Sequence, residues 1–190
     1  MNEAALRRYL VEVFRLAYLR GLTDLMGGNV SARLGGDEIL ITPTSTPKTL
    51  IKPNSLVKMR LDGTVLSGGR PSSEWRMHLG IYRVRDDVRV VLHTHPPNVI
   101  ALSQLGLKPD FSLTEAASYL GEVAEVPLLK PGSEELAEAV ARAIRPRGVT
   151  AVILKGHGLV TVGSTPHEAL NRAEVLEDLA YITLMVRVLS

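Results

Sequence analysis

The chain reads as a mixed α/β domain in which a central, largely antiparallel sheet is flanked by helices. Three patterns predict it. Apolar residues recur at helical spacing at both ends, strand pairs joined by tight glycine turns occupy the middle, and further helical stretches fall between those pairs. Hairpins make antiparallel neighbours, which argues against a parallel Rossmann sheet.

Taken in order, Leu6, Leu10, Phe14 and Ala17 form one helical face that runs until Gly21. NVSARL alternates, Gly35, Gly36 and Asp37 turn, and EILIT returns; SLVKMRL and TVLS then flank Asp62-Gly63 as a second hairpin. Between them, TPTSTPKTLIKP is too polar and irregular for a core strand, and a surface loop beside a site is expected. Ser72 and Ser73 precede a helix through Trp75, Leu79 and Tyr82, and VRVVLH is a strand. Ser133 caps the helix ELAEAVARAI, VTAVIL and LVTV bracket Gly156-His157-Gly158, and a last helix after Pro166 carries Leu170, Ala173, Leu176 and Ala180. With 190 residues, 45% of them hydrophobic, and no linker, repeat or low-complexity run, one domain spanning 1–190 is expected.

Composition narrows the chemistry. The 22 Lys and Arg against 20 Asp and Glu are scattered, so neither a nucleic-acid face nor a membrane patch is implied, although a pI near 9.0 modestly favours small anionic ligands. No cysteine is present, which excludes disulfides, thiolate ligands and a cysteine nucleophile, and leaves histidine and carboxylate as the strong metal ligands. The N-terminus is amphipathic, unlike a secretory signal, and no stretch approaches the ~18 apolar residues of a membrane span, so a cytoplasmic protein is expected.

In VVLHTHPPN, His93 and His95 project from one face of a strand end, with Thr94 opposite, and Pro96-Pro97 stops the ladder where open space for a substrate is expected. Alone, such a pair is also compatible with ordinary hydrogen-bonded histidines. His157 is the best third ligand, because Gly156 and Gly158 leave its surroundings open at a hairpin apex, though a plain glycine turn fits too. Three neutral imidazoles around zinc, or another divalent transition metal, leave a coordination position for substrate. Glu74 could be a fourth ligand, a general base, or a carboxylate at a helix start. His78, four residues further on, reads as a core or helix-surface histidine, and His167 as a solvated first-turn residue. Ser72 and Ser73 suit a phosphate as well as a simple cap; Gly28-Asn29 and Thr44-Ser45 add backbone, amide and hydroxyl groups.

Together GGNVSARL, ILITPTSTP, PSSEWRMHLGIY, VLHTHPP and LKGHGLVTVG, in this order and spacing, resemble the class II aldolase/adducin family over most of the chain, nearest to its fuculose-phosphate branch. The resemblance implies a nine-stranded, largely antiparallel sheet and a homotetramer with active sites at subunit interfaces. It implies metal ligation by His93, His95 and His157, with Glu74 binding metal at rest and acting as acid/base in turnover. It further implies phosphate binding at Gly28, Asn29, Thr44, Ser45, Ser72 and Ser73, with Ser45 standing where the family's aldolases often have glycine. The implied reaction is reversible cleavage of a ketose 1-phosphate such as L-fuculose 1-phosphate to dihydroxyacetone phosphate and L-lactaldehyde, through an enediolate that zinc stabilises. No Schiff base is needed, so Lys155 reads as a surface or phosphate-contacting lysine.

The chain departs from the pattern where the bacterial aldolases carry a proton-donating tyrosine about twenty residues beyond H-x-H. Here FSLTEAAS stands, and Glu115 could replace the tyrosine or merely cap a helix. The last residue, Ser190, follows the final helix directly, where the bacterial enzymes have a tail with a further tyrosine. An aldolase is therefore the leading reading. Methylthioribulose-1-phosphate dehydratase or another lyase or epimerase of the family is the enzymatic alternative, and a metal-free, adducin-like interaction module the non-enzymatic one.

Overall fold

The computed structural model describes residues 1–189 and bears out the mixed α/β expectation; Ser190 lies outside the described residues. Helix α1 (Glu3–Leu19) begins where Asn2 accepts the Ala5 N–H, and it buries Leu10, Val11, Val13, Phe14 and Ala17. The two hairpins follow as β1 (Asn29–Gly35) with β2 (Glu38–Ile41), and β3 (Val57–Arg60) with β4 (Val65–Ser67). Next come α2 (Trp75–Val84), β5 (Val90–Thr94), α3 (Pro97–Gln104), α4 (Thr114–Tyr119) and β6 (Glu122–Val126). The chain continues through α5 (Glu134–Ile144), whose cap Ser133 accepts the Leu136 N–H, then β7 (Val149–Leu154), β8 (Gly158–Gly163) and α6 (Pro166–Leu189).

One eight-stranded sheet runs in the order β4-β3-β2-β1-β5-β8-β7-β6. All its pairs are antiparallel except β6 with β7, which α5 joins by a crossover. The nine strands implied by the family resemblance are thus eight among the described residues. A further isolated antiparallel bridge sets Pro43 opposite Pro71, held by the Thr44 N–H on the Arg70 carbonyl (3.1 Å) and the Ser72 N–H on the Thr42 carbonyl (3.0 Å). Periodicity had not marked α3, α4 or β6. The Pro96-Pro97 stop is also the start of α3, with proline in its first turn, where a missing N–H costs nothing.

Each face of the sheet is covered. Val30, Leu40, Leu92 and Leu159 point to the side packed by α1, α3 and α6, while Ile39, Ile41, Val91 and Val160 point to the side packed by α2 and α5. This alternation on β2, β5 and β8 explains why these strands read as nearly continuous apolar runs, whereas β1, with Ser31 and Arg33 between Val30, Ala32 and Leu34, alternates. Each fully buried Leu or Ile there contributes about 2 kcal/mol to stability through apolar burial. No helix among the described residues is long and apolar enough to cross a membrane.

Candidate active site

Because β1 and β8 both run antiparallel to β5, the start of β1, the end of β5 and the start of β8 meet at one edge of the sheet. Asn29 stands directly opposite His93 in the β1–β5 register, and His93 opposite Val160 in the β5–β8 register. His95 follows the end of β5, where its N–H donates to the Leu22 carbonyl (2.8 Å), and His157 sits in the β7–β8 turn. Topology alone therefore gathers histidines 62 to 64 positions apart in the chain.

The three rings form a cluster whose ligand atoms all lie within 4.8 Å of one another. His93 Nδ1–H donates to the Leu159 carbonyl (3.0 Å), which leaves the lone pair on Nε2, and that atom lies 3.0 Å from His95 Nε2. Burial first, and then the neighbouring imidazoles, hold His93 well below the usual histidine range; burial depresses His95 likewise and takes His157 to about 4. All three are neutral at physiological pH, the state that ligates metal.

Glu74 adjoins the cluster, with its Oε2 3.1 Å from His93 Nε2 and its Oε1 accepting the Gly132 N–H (2.8 Å). Burial pushes the carboxyl up, against the pull of the Gly132 N–H. Two buried atoms at this point, Glu74 Oε2 and His157 Nδ1, lack any hydrogen-bond partner among the described residues. Buried polar atoms without partners are uncommon, and two of them beside closely approaching imidazole nitrogens fit a donor set for a divalent cation. Gly158 permits the convergence, because a Cβ there would lie 2.4 Å from the Thr94 carbonyl oxygen and 2.9 Å from His95 Cδ2. Gly28, at φ +68°, likewise lets the backbone pass where a Cβ would meet the His93 carbonyl at 2.7 Å.

A cavity of about 340 Å³ opens over the cluster and is lined by all three histidines, Glu74, Gly28, Asn29, Thr44, Ser45, Ser72 and Ser73. Ser72 is buried and its hydroxyl accepts the Glu74 N–H (3.3 Å), while Ser73 is exposed. Ser45 has φ +54° and is the only non-glycine residue with positive φ among those described, a backbone reason for a glycine at this position. The polar loop around it does border the site, as its composition predicts.

Other sequence expectations sort differently. His78 is a core histidine, hydrogen-bonded to Ser31 and Asn29. His167 pairs with the Tyr9 hydroxyl on the surface, and Lys155 makes an ion pair with Glu125 (3.2 Å). Glu115 lies in the first turn of α4 and lines a separate groove with Arg20, Glu174 and Asp178, apart from the histidine cavity of its own chain. The helix that carries it packs on α6. Sequence reasoning also passed over Lys48, which lines the cavity, and the Gly132 N–H that holds Glu74. Neither a lone lysine in a polar loop nor a glycine 58 residues from its partner leaves a local signal.

Neutral imidazoles, an adjoining carboxylate and a rim of hydroxyl and backbone N–H groups suit a metal centre that acts on an oxygen-rich anion. The chain belongs to the class II aldolase/adducin family, since the profile of the Class II Aldolase and Adducin N-terminal domain matches residues 8–184. It is 34% identical over 179 residues to L-fuculose phosphate aldolase of Methanocaldococcus jannaschii, covering 94% of this chain and 96% of that one. It is also 31% identical over 186 residues to 3-oxo-tetronate 4-phosphate decarboxylase of Haemophilus influenzae, covering 95% and 87% respectively. Among solved structures, L-fuculose-1-phosphate aldolase from Thermus thermophilus superposes with a TM-score of 0.84 at 30% identity, over 97% of this chain and 96% of that one.

Proposed function

We propose that the chain is a metal-dependent lyase that makes and breaks a carbon–carbon bond next to the carbonyl of a phosphorylated sugar, most simply as an aldolase cleaving a ketose 1-phosphate such as L-fuculose 1-phosphate. The observation that carries this reading is the unpartnered Glu74 Oε2 beside three neutral imidazoles. His93, His95 and His157 hold the cation, zinc or another divalent transition metal, and Glu74 completes the set at rest. A cation so held supplies Lewis-acid stabilisation of the negative charge that develops on substrate oxygen.

The remaining steps belong to the protein. Gly28, Asn29, Thr44, Ser45, Ser72 and Ser73 bind and orient the phosphate, which brings the reacting carbons to Glu74. When the bond between C3 and C4 breaks, its electron pair stays on the dihydroxyacetone phosphate fragment, and the aldehyde departs as the C4 hydroxyl passes its proton to solvent water in the open cavity. Glu74 then delivers a proton to the carbanionic carbon, and in the synthetic direction it removes one there. Burial raises its pKa, the direction that suits a carboxylate which must take up a proton and release it again.

The decarboxylase relative favours a second reading. Loss of carbon dioxide from a 3-oxo-tetronate 4-phosphate leaves the same phosphorylated three-carbon fragment, so one carboxylate could protonate the product of either reaction. For Glu115 to serve as the second proton donor, it must come from a neighbouring subunit, which accords with a cytoplasmic homotetramer having sites between chains.

The discriminating experiment is a substrate panel on metal-loaded protein, with metal content and oligomeric state measured alongside. Lactaldehyde together with dihydroxyacetone phosphate from L-fuculose 1-phosphate supports the aldolase. Carbon dioxide from 3-oxo-tetronate 4-phosphate, or water loss from methylthioribulose 1-phosphate, in the absence of aldol cleavage replaces it. A folded protein that takes up no metal sinks the catalytic reading altogether.

A further inference from the structure

The six groups assigned to phosphate are hydroxyls, an amide and backbone N–H groups, none of which carries charge, yet a sugar phosphate brings close to two negative charges at neutral pH. The same cavity contains a cation that the family pattern leaves without a role. Lys48 begins a short 3-10 turn after the polar loop and is only 3% exposed. Its backbone N–H donates to the Leu25 carbonyl (3.0 Å), and its Nζ lies 5.0 Å from the Phe14 ring centroid. Among the described residues, no acceptor hydrogen-bonds the ammonium and no carboxylate comes within ion-pair distance.

Asp24 is the carboxylate whose field reaches Lys48, but it is engaged by the N–H groups of Met26 (2.8 Å) and Gly27. A lysine so little exposed, with only an aromatic face and a distant carboxylate beside its ammonium, is costly without a partner, and an anionic ligand in the cavity that Lys48 lines would supply the missing charge. Structural lysines of this chain behave otherwise: Lys58 and Lys155 are partly exposed and paired with Glu38 (2.7 Å) and Glu125 (3.2 Å). Burial draws Lys48 down to about 8, with Asp24 opposing, so the group is still mainly an ammonium at pH 7.

We propose that Lys48 is a substrate-binding residue, supplying the positive charge of the anion subsite and contacting the phosphate that the uncharged rim orients. This assignment rests on the sugar-phosphate reading of the cavity. A charged donor strengthens a hydrogen bond to phosphate and makes its affinity depend on ionic strength, in a way that the hydroxyls of Ser73 and Thr44 cannot.

The test is calorimetric titration of inorganic phosphate, and separately of malonate, into metal-loaded wild type, Lys48→Met, Lys48→Arg and Ser73→Ala, with metal content and melting temperature recorded for each. Wild type should bind phosphate, and Lys48→Met should weaken it at least about tenfold at unchanged metal content, with Lys48→Arg largely retaining it. If wild type binds and Ser73→Ala is weakened while Lys48→Met is not, Lys48 has no such role although the anion subsite stands. If wild type binds no phosphate at all, the sugar-phosphate reading itself fails and takes this proposal with it. Selective loss of malonate binding in Lys48→Met would overturn the phosphate assignment in favour of a substrate carboxylate. Should the methionine variant not fold, NMR of the Lys48 Nζ in wild type decides: a resonance that moves on adding phosphate supports the contact, and an unmoved one overturns it.

Discussion

His78 Nε2 meets Asn29 Oδ1 inside the core, joining the first turn and a half of α2 to the first residue of β1. The acceptor decides the tautomer: Nε2–H donates to the Asn29 carbonyl oxygen, so Nδ1 accepts the Ser31 hydroxyl (2.6 Å), and Ser31 Oγ in turn accepts the Tyr82 hydroxyl (2.8 Å). The Asn29 amide is thereby turned with its oxygen inward, leaving its Nδ2 hydrogens for the cavity. A histidine without contact to the reaction thus sets the direction of a group at its rim. His78→Phe keeps most of the volume but removes the donor. It should cost about 1–3 kcal/mol in urea denaturation, because Ser31 and Asn29 lose buried partners. It should also weaken phosphate binding by allowing the amide to turn; unchanged phosphate affinity in a folded variant would free Asn29 from this control.

The same residue makes stability sensitive to acid. Burial lowers His78 from the usual 6.5 to about 3, so between those values the unfolded chain binds a proton that the folded chain refuses. Stability therefore falls as pH drops through 6.5 toward 3, by up to about 5 kcal/mol over the full window. Urea midpoints of wild type and His78→Phe measured from pH 7 to pH 4 should converge as the pH falls. A constant gap would show that His78 takes up its proton while folded.

Glu74→Gln retains an oxygen for the Gly132 N–H and should leave the fold within about 1 kcal/mol of wild type. It removes the proton carrier, so exchange of the dihydroxyacetone phosphate α-proton with deuterated water, followed by NMR, should slow by roughly 10²–10⁴. Exchange at the wild-type rate would take Glu74 out of the proton transfer.

Gly158→Ala places a methyl group against the Thr94 carbonyl and the His95 ring. The expected result is a loss of roughly 1–3 kcal/mol through overpacking, together with weaker metal retention on dialysis, as the β5–β8 pair shifts and the imidazoles move apart. Elemental analysis after dialysis reads the second effect. In wild type, chelation should lower the melting temperature, since a ligand bound only by the folded state stabilises it.

Ser45→Gly relieves a left-handed conformation worth roughly 1–2 kcal/mol for a residue with a side chain, against about 0.4–1 kcal/mol of added freedom in the unfolded chain. The variant should melt no lower than wild type, and any fall in phosphate affinity then measures the lost hydroxyl. A clear drop in melting temperature would mean that the serine side chain itself holds the loop.

Much of this was legible in the residues. Alternating apolar runs around Gly36 and Asp62-Gly63 imposed the hairpins, and periodic Leu and Ala marked α1, α5 and α6, because strand and helix periods are properties of neighbouring residues. The order and spacing of the histidine motifs, with Ser72, Ser73 and Glu74, mark the family by themselves. What remained depends on contacts between positions distant in the chain. The parallel β6–β7 pair, the Gly132 N–H on Glu74, the inward turn of Asn29 on His78 and the burial of Lys48 over Phe14 all arise from packing. Glu115 is the same lesson in reverse: its place in the sequence suits a proton donor, and the docking of α4 on α6 carries it away from its own cavity. Local sequence encodes which elements form, whereas the free energy of burying them together decides which side chains face one another.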